Sequence, residues 1–212
     1  MSKKTETVQS YWDARSELFG NYYKKPSTFD RIFRKGVYER QAIAVKACKE
    51  IPNATVLDIG SGPGINSVSL IKNAGASHVF GVDFAQHMID YARNTVKEEG
   101  VADKCEFVLG DVLTYDFGNR KFDYSYALGV FDYVENAQAL LSRMCSLSDR
   151  SIMASWPEDG LRMALRRYRY TCPLFHYTEQ QIIDLHWKAG IPRENLEIIR
   201  IGGGWATIAR KS

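Results

Sequence analysis

No run of about 18 consecutive apolar residues occurs in this 212-residue chain, so no segment reads as a membrane-spanning helix. The opening residues, Met1-Ser2-Lys3-Lys4-Thr5-Glu6, lack the apolar stretch of a secretory leader, and a cytoplasmic location is expected. Cysteine is sparse: Cys48, Cys105, Cys145 and Cys172 are scattered, with no C-x-x-C pair. That spacing argues against a zinc site and a disulfide frame, and the thiols are expected to be reduced. His78, His87 and His186 are equally dispersed, and no metal centre is expected. Charge of one sign is not in excess either. A net charge of +3 makes no demand for a nucleic-acid partner. Internal repeats, low-complexity tracts and a second domain are also missing.

What is present suits one globular domain with a full core: 45% hydrophobic and 25% charged residues. Two helical patterns come first, over about Thr5 to Phe19 and from Ser27, a plausible N-cap, to about Ile51. Strands and helices then alternate. Strands are expected over Thr55 to Ile59, His78 to Val82, Cys105 to Leu109, Phe122 to Leu128 and Ser151 to Ser155. Helices are expected over Ile65 to Ala74, Ala85 to Glu99 and Ala137 to Leu147, with a last one capped by Thr178 and Gln181. Two β-like runs, Leu196 to Ile201 and Trp205 to Arg210, flank Gly202-Gly203-Gly204 and read as a hairpin. Such alternation implies an α/β, Rossmann-like fold whose mostly parallel sheet is covered on both faces. Between the fifth strand and the last helix lies a basic, aromatic insert at 157–177, most basic from Arg162 to Thr171.

The most informative segment is Val56-Leu57-Asp58-Ile59-Gly60-Ser61-Gly62-Pro63-Gly64, at the first strand-to-helix junction. Glycine there lets the backbone turn tightly and approach a ligand closely. The dinucleotide fingerprint G-x-G-x-x-G is not met, because the third glycine falls one residue early and Ile65 stands in its place. Asp58 would oppose a phosphate but suit an amine. Asp83, at the end of the second strand, is placed to accept from ribose hydroxyls, and Asp111, after the third, from an exocyclic amine such as that of adenine. The competing role is a solvated turn position for Asp83 and helix or turn capping for Asp111.

These segments, with Gly81-Val82-Asp83, Gly110-Asp111-Val112 and Phe122-Asp123-Tyr124-Ser125-Tyr126, resemble the successive motifs of the class I S-adenosylmethionine-dependent methyltransferases over about Thr55 to Ser212. The resemblance implies a seven-stranded sheet whose last strand is antiparallel, a helical cap over the active site at 1–51, and a cofactor-binding core at 52–212. It implies that Gly60, Ser61, Gly62, Gly64 and Asp58 surround the methionine part. Asp83 would bind ribose, and Asp111 and Val112 would flank adenine. Phe84 would stack on the purine, and Ala127, Leu128 and Gly129 would lie beside the sulfonium.

Methyl transfer is an in-line displacement in which alignment supplies much of the acceleration, so a missing base motif does not argue against an enzyme. Acceptor-side candidates are Tyr22 and Tyr23 in the N-terminal region, Phe131 and Tyr133 after the fourth strand, and Arg166 and Arg167 in the insert. Arg162, Arg166 and Arg169 recur at helical spacing, as a solvated face or as a lid for an acidic acceptor. His176 is a candidate general base, since imidazole titrates near neutrality. A small-molecule acceptor methylated on oxygen or nitrogen is the favoured expectation. The alternatives are an RNA or protein methyltransferase, a non-catalytic S-adenosylmethionine-binding protein and a nicotinamide-dependent oxidoreductase. An Asn/Asp-Pro-Pro-Tyr/Phe motif, usual in nucleic-acid amino methyltransferases, is replaced here by Ala127-Leu128-Gly129-Val130.

Overall fold

The computed structural model describes residues 7–12 and 35–211. The expected helix start at Ser27, and Tyr22 and Tyr23, lie outside those residues. Seven strands form one sheet: β1 (Thr55–Ile59), β2 (His78–Asp83), β3 (Cys105–Leu109), β4 (Phe122–Ala127), β5 (Ser148–Pro157), β6 (Leu196–Ile201) and β7 (Gly204–Arg210). Their order is β3-β2-β1-β4-β5-β7-β6. The first five pair in parallel. β7 runs antiparallel to both β5 and β6. The helices are α1 (residues 7–12), α2 (Lys35–Lys49), α3 (Ile65–Ser69), α4 (Gln86–Glu98), α5 (Ala137–Leu147), α6 (Leu161–Arg169) and α7 (Glu179–Lys188).

Burial explains why β1 reads as a continuous run rather than an alternation. Val56, Leu57, Asp58 and Ile59 are all buried, because helices cover both faces. Alternate residues serve different layers. Val56 packs with Val79, Ile89, Tyr124 and Met153. Leu57 and Ile59 pack with Phe80, Leu140, Met144, Trp156 and Ile182 on the other side. Between neighbouring strands β1 and β4 the chain order reverses. A crevice therefore opens at their carboxyl ends, the place where sheets of this kind bind ligands.

Local signals hold where side chains cap helices. Thr178 Oγ1 accepts from Gln181 N–H, and the Gln181 amide oxygen accepts from Thr178 N–H, closing the expected capping box. Asn136 caps α5 in the same way, accepting from Ala139 N–H at 2.9 Å. Three features go beyond the elements expected from sequence. The helix after the glycine turn changes at Leu70 into a π-helical turn (Leu70–Ala74), closed by Gly75 N–H on Leu70 O. β5 extends to Pro157, because β7 pairs with it over Ser151 to Pro157. The basic insert contains a full helix, α6, with Met163 as its buried anchor. Gly204 opposite Pro157 is required by contact: a Cβ there would stand 2.0 Å from Trp156 O.

Candidate active site

The turn after β1 is shaped by glycines with positive φ. Gly60 (65°) has no room for a side chain, since a Cβ would meet Val130 at 2.6 Å. Gly62 (50°) is different: a Cβ there would meet nothing within 4 Å, because its face looks into a cavity. Backbone bonds pin the turn to the end of β2, with Gly60 N–H and Ser61 N–H both on Val82 O. Asp83 reinforces the link. One carboxylate oxygen accepts from Gly62 N–H at 2.9 Å and the other from Ala85 N–H at 3.0 Å.

The cavity measures about 1540 Å³ and runs along the carboxyl ends of the strands. Pockets for a single small ligand are about 300–1,000 Å³, so this one has space for two. At one end it is lined by Gly60, Ser61, Gly62, Asp83, Phe84 and, after β3, Asp111 and Val112. Leu128 and Gly129 form its middle. The far end is walled by Tyr133, Arg166, Arg169 and Tyr170, with Trp12 from α1 and Arg40 from α2. Asp111 lines the cavity, and its Oδ1 caps the turn that follows, accepting from Leu113 N–H at 3.0 Å.

Helix α1 lies across the cavity, packing with Phe84 as well as with Tyr133 and Tyr170. Gln9 donates to Phe84 O at 2.9 Å. Tyr11 stacks on Tyr170 with centroids 5.2 Å apart, and Trp12 meets Tyr133 edge-on at 5.3 Å. Beneath these rings lies an ion pair. Arg166 reaches the buried carboxylate of Asp132 at 2.6 Å and donates to the Tyr133 hydroxyl at 3.2 Å. Burial works against the Arg166 charge, but Asp132 and Tyr133 outweigh it and raise its pKa. Burial, then Asp132, raises the Tyr133 phenol, so it stays protonated.

Several residues expected in the site lie elsewhere. Asp58 is buried beneath the turn, off the cavity wall, and accepts from Ser67 Oγ at 2.5 Å. Burial lifts its pKa to about 6. Gly64 serves packing: a Cβ would stand 3.0 Å from Ala92 Cα on α4. Ala127 is buried within the sheet. Phe131 points into the core against Trp156, with ring centroids 3.9 Å apart. His176 is exposed and removed from the cavity, where Arg167 bonds it at 2.7 Å and Arg167 also pairs with Asp159 at 3.2 Å. The neighbouring backbone explains this: Phe175 N–H is tied to Asp132 O and Tyr177 N–H to Pro157 O, so the flanking residues take the inward bonds. Arg40 and Gln9 were not among the expected residues. Each is one polar residue in a helix, and nothing in their local pattern marks them.

The residues present fit S-adenosylmethionine. Gly62 leaves a cradle that a Cβ would fill, and the buried Ser61 hydroxyl on the cavity wall has no hydrogen-bond partner among the described residues. A glycine turn after β1, carboxylates ending β2 and following β3, and a strand order with an antiparallel β7 define a Rossmann-like domain whose crevice suits this cofactor. Comparison with known proteins agrees. Residues 56–149 match the methyltransferase domain family. A sterol 24-C-methyltransferase of Gibberella zeae is 30% identical over 118 residues, which cover 55% of this chain and 30% of that protein. A demethylmenaquinone methyltransferase of Deinococcus radiodurans is 25% identical over 154 residues, 70% of this chain and 63% of that one. The chain thus spans less than two thirds of the length of either relative. Magnesium protoporphyrin IX methyltransferase from Synechocystis, solved with S-adenosylhomocysteine bound, has the same fold, with a TM-score of 0.80 at 20% identity and full coverage of both chains. Residues 56–149 thus match a methyltransferase domain, and the chain has the fold of the class I S-adenosylmethionine-dependent methyltransferases.

Proposed function

We propose that this protein transfers the methyl group of S-adenosylmethionine to a small-molecule acceptor lodged between the middle of the cavity and its aromatic, arginine-bearing wall. One observation carries the reading: a single cavity joins the glycine turn, Asp83 and Asp111 to Tyr133 and Arg166 without a break in its lining. When bound, the cofactor supplies a methyl group already activated by a sulfonium. The chain's own residues then have three tasks. Gly60, Ser61 and Gly62 hold the amino-acid end, Asp83 the ribose, and Asp111 with Val112 the purine. Leu128 and Gly129 border the transfer region. The rings of Trp12, Tyr133 and Tyr170 exclude water and orient the acceptor, which is where most of the rate gain of an in-line displacement arises. His176 has no part in this reading, since it lies outside the cavity.

The names of the relatives, a sterol and a quinone-pathway methyltransferase, support a small and largely apolar acceptor. The acceptor atom in this reading is oxygen or nitrogen. Binding is tested by thermal unfolding with S-adenosylhomocysteine: at 100 times its Kd, stabilisation of about 2.7 kcal/mol is expected. An unchanged Tm at saturating concentration ends the reading. Transfer of a labelled methyl group to metabolite, RNA and protein pools then tests the acceptor class. Label in RNA or protein alone rejects the small-molecule acceptor, and product NMR identifies the atom.

A further inference from the structure

We propose that the cavity contains a subsite for an anionic group of the acceptor, a carboxylate or a phosphate, gripped by Arg40 and Arg162. The inference rests on the methyl-transfer reading and adds the chemical class of its acceptor. A side pocket of about 140 Å³ opens between α2, the first turn of α6 and the β6–β7 turn. It shares Arg40, Asp132, Arg162 and Arg166 with the main cavity.

The charges around this pocket do not balance locally. Each lining carboxylate already has its own arginine: Asp132 with Arg166 at 2.6 Å, Asp159 with Arg167 at 3.2 Å, and Glu158 with Arg200. Glu39, just outside, pairs with Lys35 at 3.6 Å and accepts from Gly202 N–H at 2.7 Å. Two guanidinium groups are left. Arg162 donates to a neutral partner, Gly202 O, at 3.1 Å. Arg40 has no ion pair or hydrogen bond among the described residues, and its guanidinium lies over Gly129, with a nitrogen 3.1 Å from where a Cβ would stand. Burial, then the charges of Arg166 and Arg40, hold the Arg162 pKa below its ordinary value.

Two guanidinium groups lining one small pocket repel each other, and an anion bound there removes that cost while gaining charge-assisted, fork-shaped hydrogen bonds. The position matters as much as the charge. Gly129 follows β4 and borders the transfer region, so an anion held by Arg40 fixes the acceptor at the reacting end of the cavity. A pocket of this size admits one small charged group.

Thermal unfolding in sodium benzoate, sodium phosphate and sodium chloride at equal ionic strength tests the subsite. It is run with and without S-adenosylhomocysteine, on the wild type, Arg40→Gln, Arg162→Gln and Arg169→Gln. Arg169 lines the cavity but not the side pocket, so its variant controls for general charge effects. The expected result is a Tm gain over chloride of about 2–4 °C in the wild type and in Arg169→Gln, lost in Arg40→Gln and Arg162→Gln. A larger gain with benzoate assigns a carboxylate, and a larger gain with phosphate assigns a phosphate. No gain from either anion, or the same gain in all four proteins, overturns the subsite. A response to S-adenosylhomocysteine without one to the anions removes only the subsite, and the converse leaves an anion site but ends the methyl-transfer reading and, with it, the acceptor assignment.

Discussion

Asp83 illustrates how one side chain both builds a loop and faces a cavity. Its two backbone bonds lock the glycine turn to the start of the segment leading into α4, while the residue lines the cavity. Asp83→Ala is therefore expected to weaken S-adenosylhomocysteine by about 10–100-fold in calorimetric titration, from the loss of hydrogen bonds to a charged group. Asp132 and Arg166 make a second test at this scale. Arg166→Gln leaves a buried carboxylate without its counter-charge, and a stability loss of about 3 kcal/mol is expected in urea unfolding. Adding Asp132→Asn should restore most of it. Sequence spacing placed Asp83 and Asp111 on the cavity because both sit at strand ends, where chain position and spatial position coincide. It was uninformative for Arg40, whose role depends on how α2 lies over Gly129. It misplaced Phe131 and His176, because which side of a loop faces a cavity is decided by backbone bonds to distant elements, such as Phe175 N–H on Asp132 O.

At the scale of elements, local chemistry and tertiary packing divide the work. The reciprocal bonds between Thr178 and Gln181 satisfy donors that α7 could not satisfy internally. Thr178→Ala is expected to cost about 1 kcal/mol in denaturant unfolding with the slope of the transition unchanged. The bounds of β3, α5 and β6 were readable to the residue, since each is delimited by its own apolar pattern and flanking turn. β5 was read too short because its outer residues are held as strand by β7, which lies some fifty residues further along. Helix α6 is an inverse case. It buries only Met163 and turns Leu161, Leu165 and Tyr168 outward, so its arginine spacing rather than an apolar stripe was the signal for it.

For the molecule as a whole, two buried groups give stability opposing pH dependences. His186 is buried against Trp156, and Nδ1–H donates to Ile182 O at 2.7 Å. Burial lowers its pKa from 6.5 to about 4. Between those values the unfolded chain holds the extra proton, so acidification removes stability. Asp58 does the reverse. Its pKa rises from 3.8 to about 6, so between those values the folded chain holds the extra proton and acidification adds stability. The two contributions oppose each other between about pH 4 and 6. Asp58→Asn should expose the histidine slope, a loss of up to about 1.4 kcal/mol per pH unit on descending from 6.5. His186→Phe should leave the aspartate slope, of opposite sign. Urea unfolding at pH 4.5, 5.5 and 7 separates them, and parallel profiles for both variants and the wild type would count against this assignment.

Strand β7 follows every other strand in sequence yet lies between β5 and β6. While the chain is still being synthesised, β5 has one open edge and β6 has no neighbour until the stretch from Gly204 to Arg210 clears the ribosome. The glycine turn and the strands around it need not wait for that event. The strands around the glycine turn can pair on the nascent chain, and β5 and β6 are joined in one sheet only when β7 inserts between them.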